Sequence, residues 1–232
     1  PINVVLAIDT SETMTYQIEG MKEAGITFLK GLSQGDQSGL VSFNSKQTTE
    51  HSLTTGNADV VNAVLRLKAV PNTVMCLWDA AYYAAQLASS SPTGQRAIVI
   101  LTSGLDYAQP GRTCSNKTID DVINLATDNT SRVPIHVVAM KQWARTQEVS
   151  RLAELTGGQV FFVESGKEAS PYLTALSQQM RSGYQIGYTS SISSGEHALF
   201  LQLDHQGSRA QTTQKFNTQT LGSLAIDGVE NG

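Results

Sequence analysis

Short apolar runs alternate along the chain with longer stretches in which apolar residues recur at helical spacing. Residues 3–9 (NVVLAID) are apolar, β-branched and too few for a helix, which predicts a strand buried on both faces. Residues 15–32 carry Ile18, Met21, Ile26, Phe28, Leu29 and Leu32 at mixed helical spacing and run out near Gly31 and Gly35. A second strand is predicted at 38–44, and a polar, alternating edge partner at 47–53. Helices are predicted at 58–68 and, Ala-rich, at 77–90. Ala97 to Leu101 is the most apolar strand of all. A polar loop at 103–116 leads into a helix at 118–129, a strand at 133–140 and a helix at 145–156 that Gly157-Gly158 closes. A strand at 159–163 and a helix at 167–182 complete the alternation. The period then changes to two, with strands predicted at 184–190, 197–204 and 210–216.

Repeated strand–helix units with short connections predict an α/β fold. It is expected to be a three-layer, Rossmann-like, doubly wound and mostly parallel sheet with a C-terminal antiparallel β extension. Residues 1–190 are assigned to that domain, and 191–232 to the extension of the same domain and a tail.

Composition narrows the function classes. The 232 residues, 40% of them hydrophobic and 16% charged, suffice for a core without metal or disulfide, and exclude collagen-like and disordered classes. A net charge of -4 and the lack of any Lys/Arg cluster argue against nucleic acid as a partner. No apolar run reaches the roughly 18 residues of a membrane span, so this segment is not expected to insert in a membrane. The chain opens on Pro1 and runs at once into a predicted strand, which reads as a domain of a larger polypeptide. Gly31-Leu32-Ser33-Gln34-Gly35 matches G-x-S-x-G, but a helix precedes it and a strand follows, the reverse of a nucleophile elbow. Neither glycine-rich nucleotide motif is present. A non-enzymatic protein is therefore expected. His136 lies in an apolar strand and reads as a core residue, and Trp143 follows a strand end.

Open α/β sheets bind ligands at the carboxyl ends of their strands, so the residues following each strand carry the interest. After the first strand comes Asp9-Thr10-Ser11-Glu12-Thr13. A spacing of two puts Asp9, Ser11 and Thr13 on one side of an extended segment. One carboxylate and two hydroxyls are oxygen donors suited to a hard divalent cation such as Mg²⁺, Mn²⁺ or Ca²⁺. Asp and Ser here equally suit capping of the loop that enters the next helix, and both readings stand at this point. Thr102-Ser103-Gly104-Leu105-Asp106 follows the central strand.

Asp9-x-Ser11-x-Thr13 resembles the D-x-S-x-S signature of von Willebrand factor type A domains. Gly35-Asp36 with Gly39-Leu40-Val41-Ser42-Phe43-Asn44 resembles the family's second strand, and Leu77-Trp78-Asp79-Ala80 its "LyDA" helix start. Ile100-Leu101-Thr102-Ser103-Gly104 resembles its "llTDG" strand end. Leu152-Ala153 with Thr156-Gly157-Gly158 resembles the segment before its last parallel strand, and Tyr184-Gln185-Ile186-Gly187-Tyr188 a strand of many bacterial members. The matches fall in order across residues 2–190.

The resemblance implies a protein-binding or adhesion module. Its metal-ion-dependent adhesion site would use the signature residues, a Thr from a second loop and the Asp of "TDG". The Thr position falls here on Met75 and the Asp on Ser103, so Asp9, Ser11 and Thr13 are the retained ligands and the implied cation site is partial. The rim at 9–15, 72–78 and 103–116 would meet a protein partner, with Met75, Ser103 and Asp106 among its residues. The same resemblance puts Cys76 and Cys114 on loops of one rim. A disulfide between them is one reading, two unrelated thiols the other. A disulfide would imply an extracytoplasmic place, at the cell surface or secreted. The alternative function is a structural or assembly domain of a larger surface or secreted complex, with a degenerate site and contacts through the strands at 184–217. Sequons at Asn116 and Asn129 matter only in a glycosylating host.

Overall fold

The computed structural model describes residues 1–91, 93–128, 132–181, 185–188, 195–205, 208–218 and 224–227. Strand β1 (Ile2–Asp9) is buried at every position, as an apolar run covered on both faces must be. It lies near the centre of a six-stranded sheet of order β3-β2-β1-β4-β5-β6. The other strands are β2 (Gln37–Phe43), β3 (Gln47–Thr54), β4 (Gln95–Thr102), β5 (Ile135–Met140) and β6 (Val160–Val163). All neighbours run parallel except β2 and β3, which pair antiparallel. Here the expected edge partner appears, with burial alternating along its polar sequence.

The helices are α1 (Ile18–Lys30), α2 (Asn57–Arg66), α3 (Leu77–Ser89), α4 (Ile119–Ala126), α5 (Thr146–Thr156) and α6 (Ala169–Arg181). Helix α3 turns Ala80, Ala81, Ala84, Ala85 and Ala88 inward, all fully buried, in one core with Val5, Ala7, Ile98 and Ile100 of the sheet. The first predicted helix starts later than expected. It begins at Ile18, after a 3-10 turn at Glu12–Met14 that is closed by Met14 N–H to the Ser11 carbonyl at 3.0 Å and Thr15 N–H to the Glu12 carbonyl at 3.1 Å. Helix α4 begins at a capping box: the Thr118 hydroxyl accepts the Asp121 N–H, and the Asp121 carboxylate accepts the Thr118 N–H. Helix α5 ends where Gly157 takes φ 82, and Gly158 then passes so close to β5 that a Cβ would stand 2.1 Å from the Ile135 carbonyl oxygen. Both glycines of the helix stop are thus required, for different reasons.

The chain divides into two compact units, Pro1–Gln178 and Gln179–Gly232. In the second, β7 (Gln185–Tyr188) pairs antiparallel with β10 (Leu224–Asp227), and β8 (Gly195–His205) with β9 (Ser208–Thr218). Strand β7, assigned above to residues 1–190, thus finds its partner in the second unit, in a strand that sequence reasoning did not place. Tyr184 and the Asn129 sequon lie outside the described residues. Among the described residues no helix is long and apolar enough to cross a membrane.

His136 sits in β5 as a core residue whose Nδ1 accepts the Gln159 N–H at 3.1 Å. Burial pushes its imidazole down from 6.5 to about 4. Between those values the unfolded chain holds a proton that the folded chain refuses. Stability is therefore full above pH 6.5 and falls as pH drops through the window toward about 4, by about 3 kcal/mol in all. Urea midpoints at about pH 7.5 and about pH 4.5 should differ accordingly. His136→Asn, which keeps an acceptor but does not titrate, should remove that part of the difference.

Candidate functional site

The candidate site forms at the carboxyl ends of β1, β2 and β4. From β1 the chain builds β2 and β3 on one side, then crosses to build β4, β5 and β6 on the other, so the strand order reverses between β1 and β4. Ile8 pairs with Leu101 across that boundary, which brings Asp9 beside Thr102.

Asp9 is fully buried. Its Oδ1 accepts the Ser11 N–H at 2.9 Å. Its Oδ2 accepts three donors: the Thr102 hydroxyl at 3.1 Å, the Ser103 N–H at 3.1 Å and the Ser103 hydroxyl at 3.0 Å. The Thr102 hydroxyl in turn accepts the Gly104 N–H at 3.0 Å. Gly104 has φ 82, and a Cβ there would stand 2.6 Å from Cβ of Ala144, so this turn needs glycine. The Ser11 and Thr13 hydroxyls bond each other at 2.8 Å. The structure thus brings Asp9, Ser11, Thr13 and Ser103 together.

A carboxylate offers about four lone-pair positions, and Asp9 accepts four hydrogen bonds. A hard cation here would have to displace a donor hydrogen, and Ser103 brings no negative charge at the position where the family's Asp would. Met75, at the position of the family's Thr, brings a thioether in place of an oxygen. The residues present do not fit the cation that the sequence resemblance implies.

The rim expected at Met75, Ser103 and Asp106 is buried instead, at 2%, 0% and 1% exposure. Each turns inward because it has a partner there. Ser103 serves Asp9. Met75 pairs its backbone with Tyr107, N–H to carbonyl in both directions at 3.3 and 2.9 Å. Asp106 caps helix α3 from outside: its Oδ1 accepts the Leu77 N–H at 2.8 Å and the Ser115 hydroxyl at 2.5 Å, and its Oδ2 the Ser115 N–H at 3.2 Å. The helix's own N-cap residue, Cys76, makes no side-chain cap hydrogen bond, so Asp106 supplies the acceptor.

Cys76 and Cys114 form a disulfide, with Cα atoms 4.7 Å apart. Beyond it, the Asp79 carboxylate accepts the N–H groups of Asn116 at 3.1 Å and Lys117 at 2.8 Å. The loop at 103–117 is therefore fastened to the start of α3 at several points.

What the rim exposes is different. Tyr16, between the 3-10 turn and α1, is 93% exposed. Val70 is exposed on the loop before α3, and its N–H donates to the Thr10 carbonyl at 2.8 Å, next to Asp9. Sequence reasoning singled out neither, since an apolar or aromatic residue near a helix reads as core. Trp143 is half-buried. Ser33 lies at the opposite end of the sheet. Its N–H donates at 2.8 Å to Asp36, whose other oxygen accepts the N–H of Ile2 at the start of β1.

A family model of the von Willebrand factor type A domain matches residues 3–179. The chain belongs to this family. The match ends within a residue of the boundary between the two compact units, so the first unit is the von Willebrand factor type A (VWA) domain proper. Solved VWA structures share its fold. BatB from Bacteroides thetaiotaomicron superposes with a TM-score of 0.63 at 14% identity, over 78% of this chain and 100% of that one. The von Willebrand factor type A protein from Catenulispora acidiphila gives 0.68 at 15%, over 99% of this chain and 58% of that one. The VWA domain of the type V pili tip protein Mfa5 from Porphyromonas gingivalis gives 0.62 at 12%, over 78% and 95%. No curated protein matches the chain by sequence.

Proposed function

We propose that this VWA domain is a non-enzymatic module that recognises a protein partner through the exposed part of the rim around Asp9. The observation that carries the reading is the pairing of a rigid base with an exposed apolar edge. Asp9 and its four donors fix the loops, while Tyr16 and Val70 stand in solvent, Val70 tied through its N–H to Thr10 beside Asp9. A fully exposed tyrosine on ordered backbone offers a large contact area at small cost in side-chain entropy, the kind of residue that dominates protein interfaces. The disulfide, and the likeness to a pilus tip domain, favour an extracytoplasmic setting.

A structural or assembly role through the second unit is the alternative. It is favoured by Phe200 and Leu203, large apolar residues exposed on β8. A photo-crosslinking residue placed in turn at positions 16, 70 and 200, in the cells that make the protein, separates the two. Protein adducts from 16 and 70 support recognition through the rim. Adducts from 200 alone support assembly through the second unit and overturn the rim.

A further inference from the structure

We infer that hydrogen bonds to Asp9, the Ser103 hydroxyl's among them, join the two strand ends that a cation would join in the family, so that this rim is complete without any metal. The assignment rests on how the Asp9 carboxylate is filled, and is independent of what the rim binds.

A site built for a hard cation keeps a carboxylate lone pair for the ion, whatever hydrogen bonds its oxygens also accept, and gathers negative charge around it. Here the reverse holds. All four hydrogen bonds to Asp9 come from the two loops that a cation would join: one from Ser11 in the first, and three from Thr102 and Ser103 in the second. Two of the three donors on Oδ2 belong to Ser103, and its hydroxyl is the one that an Asp at this position could not supply. The remaining oxygens of the signature, on Ser11 and Thr13, bond each other at 2.8 Å. Ser103 is fully buried, so its hydroxyl has Asp9 as its partner rather than water. The result is a latch between the ends of β1 and β4 that closes on folding.

Chelator-stripped protein should melt at the same temperature in EDTA and in about 10 mM Mg²⁺, Mn²⁺ or Ca²⁺. A site with a dissociation constant of about 100 μM would instead raise the melting temperature by about 5–10 °C. Mn²⁺ should likewise produce no saturable enhancement of water-proton relaxation.

Ser103→Asp removes the hydroxyl donor and brings a second carboxylate against Oδ2. Two like charges at that range need a cation or a proton between them. The variant should therefore melt lower than wild type in EDTA and recover when cation is added. Saturable Mn²⁺ binding by the wild type that Asp9→Asn abolishes would overturn the inference. A folded Ser103→Asp protein indifferent to cation would overturn the role given to Ser103. Loss of rim crosslinks with the melting results as expected would sink the recognition proposal alone.

Discussion

Asp9→Ala should lower the unfolding free energy by about 4 kcal/mol and the melting temperature by about 8–16 °C. The substitution strands four buried donors at once: the N–H groups of Ser11 and Ser103 and the hydroxyls of Thr102 and Ser103. Hydrogen bonds to a charged acceptor contribute about 1.5–3 kcal/mol each, so a simple sum would be larger. The donors share one acceptor, however, and water entering the vacated space can serve some of them, which brings the total down. Asp9→Asn should not rescue, because its amide would turn hydrogens toward groups that also donate. Denaturant titration measures the loss directly. The loss should be equal in EDTA and in Mg²⁺, the outcome that the metal-free latch inferred above requires. A loss below about 1 kcal/mol would mean that Asp9 is not what joins the two loops.

Removing the disulfide should have an effect nearly as large. Cys76 and Cys114 lie 38 apart in sequence, and closing a loop of that length restrains the unfolded chain by about 3–4 kcal/mol. The folded rim should change little on reduction. Asp106 still holds Leu77 and Ser115, Asp79 still holds Asn116 and Lys117, and Met75 still pairs with Tyr107. A Cys76→Ala, Cys114→Ala protein should thus keep its native spectrum but unfold at a lower denaturant midpoint, with amide exchange rising first in the loop at 103–117. Thiol titration of the unreduced, unfolded wild type should find no free thiol; two would refute the bridge.

The parallel core was legible because strands covered on both faces cannot hide. Val4 to Ile8 and Ala97 to Leu101 are continuous apolar runs of strand length, and both are buried throughout. The family was legible because several short motifs kept their order. The inner workings of the rim were not. Loops at strand ends are exposed on average, so Ser103 and Asp106 read as surface residues. Their partners stand far away in sequence: Asp9 is 94 residues from Ser103, and Leu77 is 29 from Asp106. No local pattern announces a hydrogen bond over that span. Strand β10 escaped for a related reason. Four residues carry little periodicity, and only pairing with β7 makes Leu224–Asp227 a strand.

The bridge between Cys76 and Cys114 also decides what tension can reach. The covalent ring it closes contains all of α3 and all of β4, a strand lying between β1 and β5. A pull on the two ends of the chain passes through the sulfur–sulfur bond and around the ring. About 130 Å of contour is then withheld from extension. The piece withheld is one inner strand of the sheet with helix α3, which stay tied together when the strands outside the ring are drawn away. For a domain exposed to shear, that turns a sequence-local crosslink into a mechanical stop.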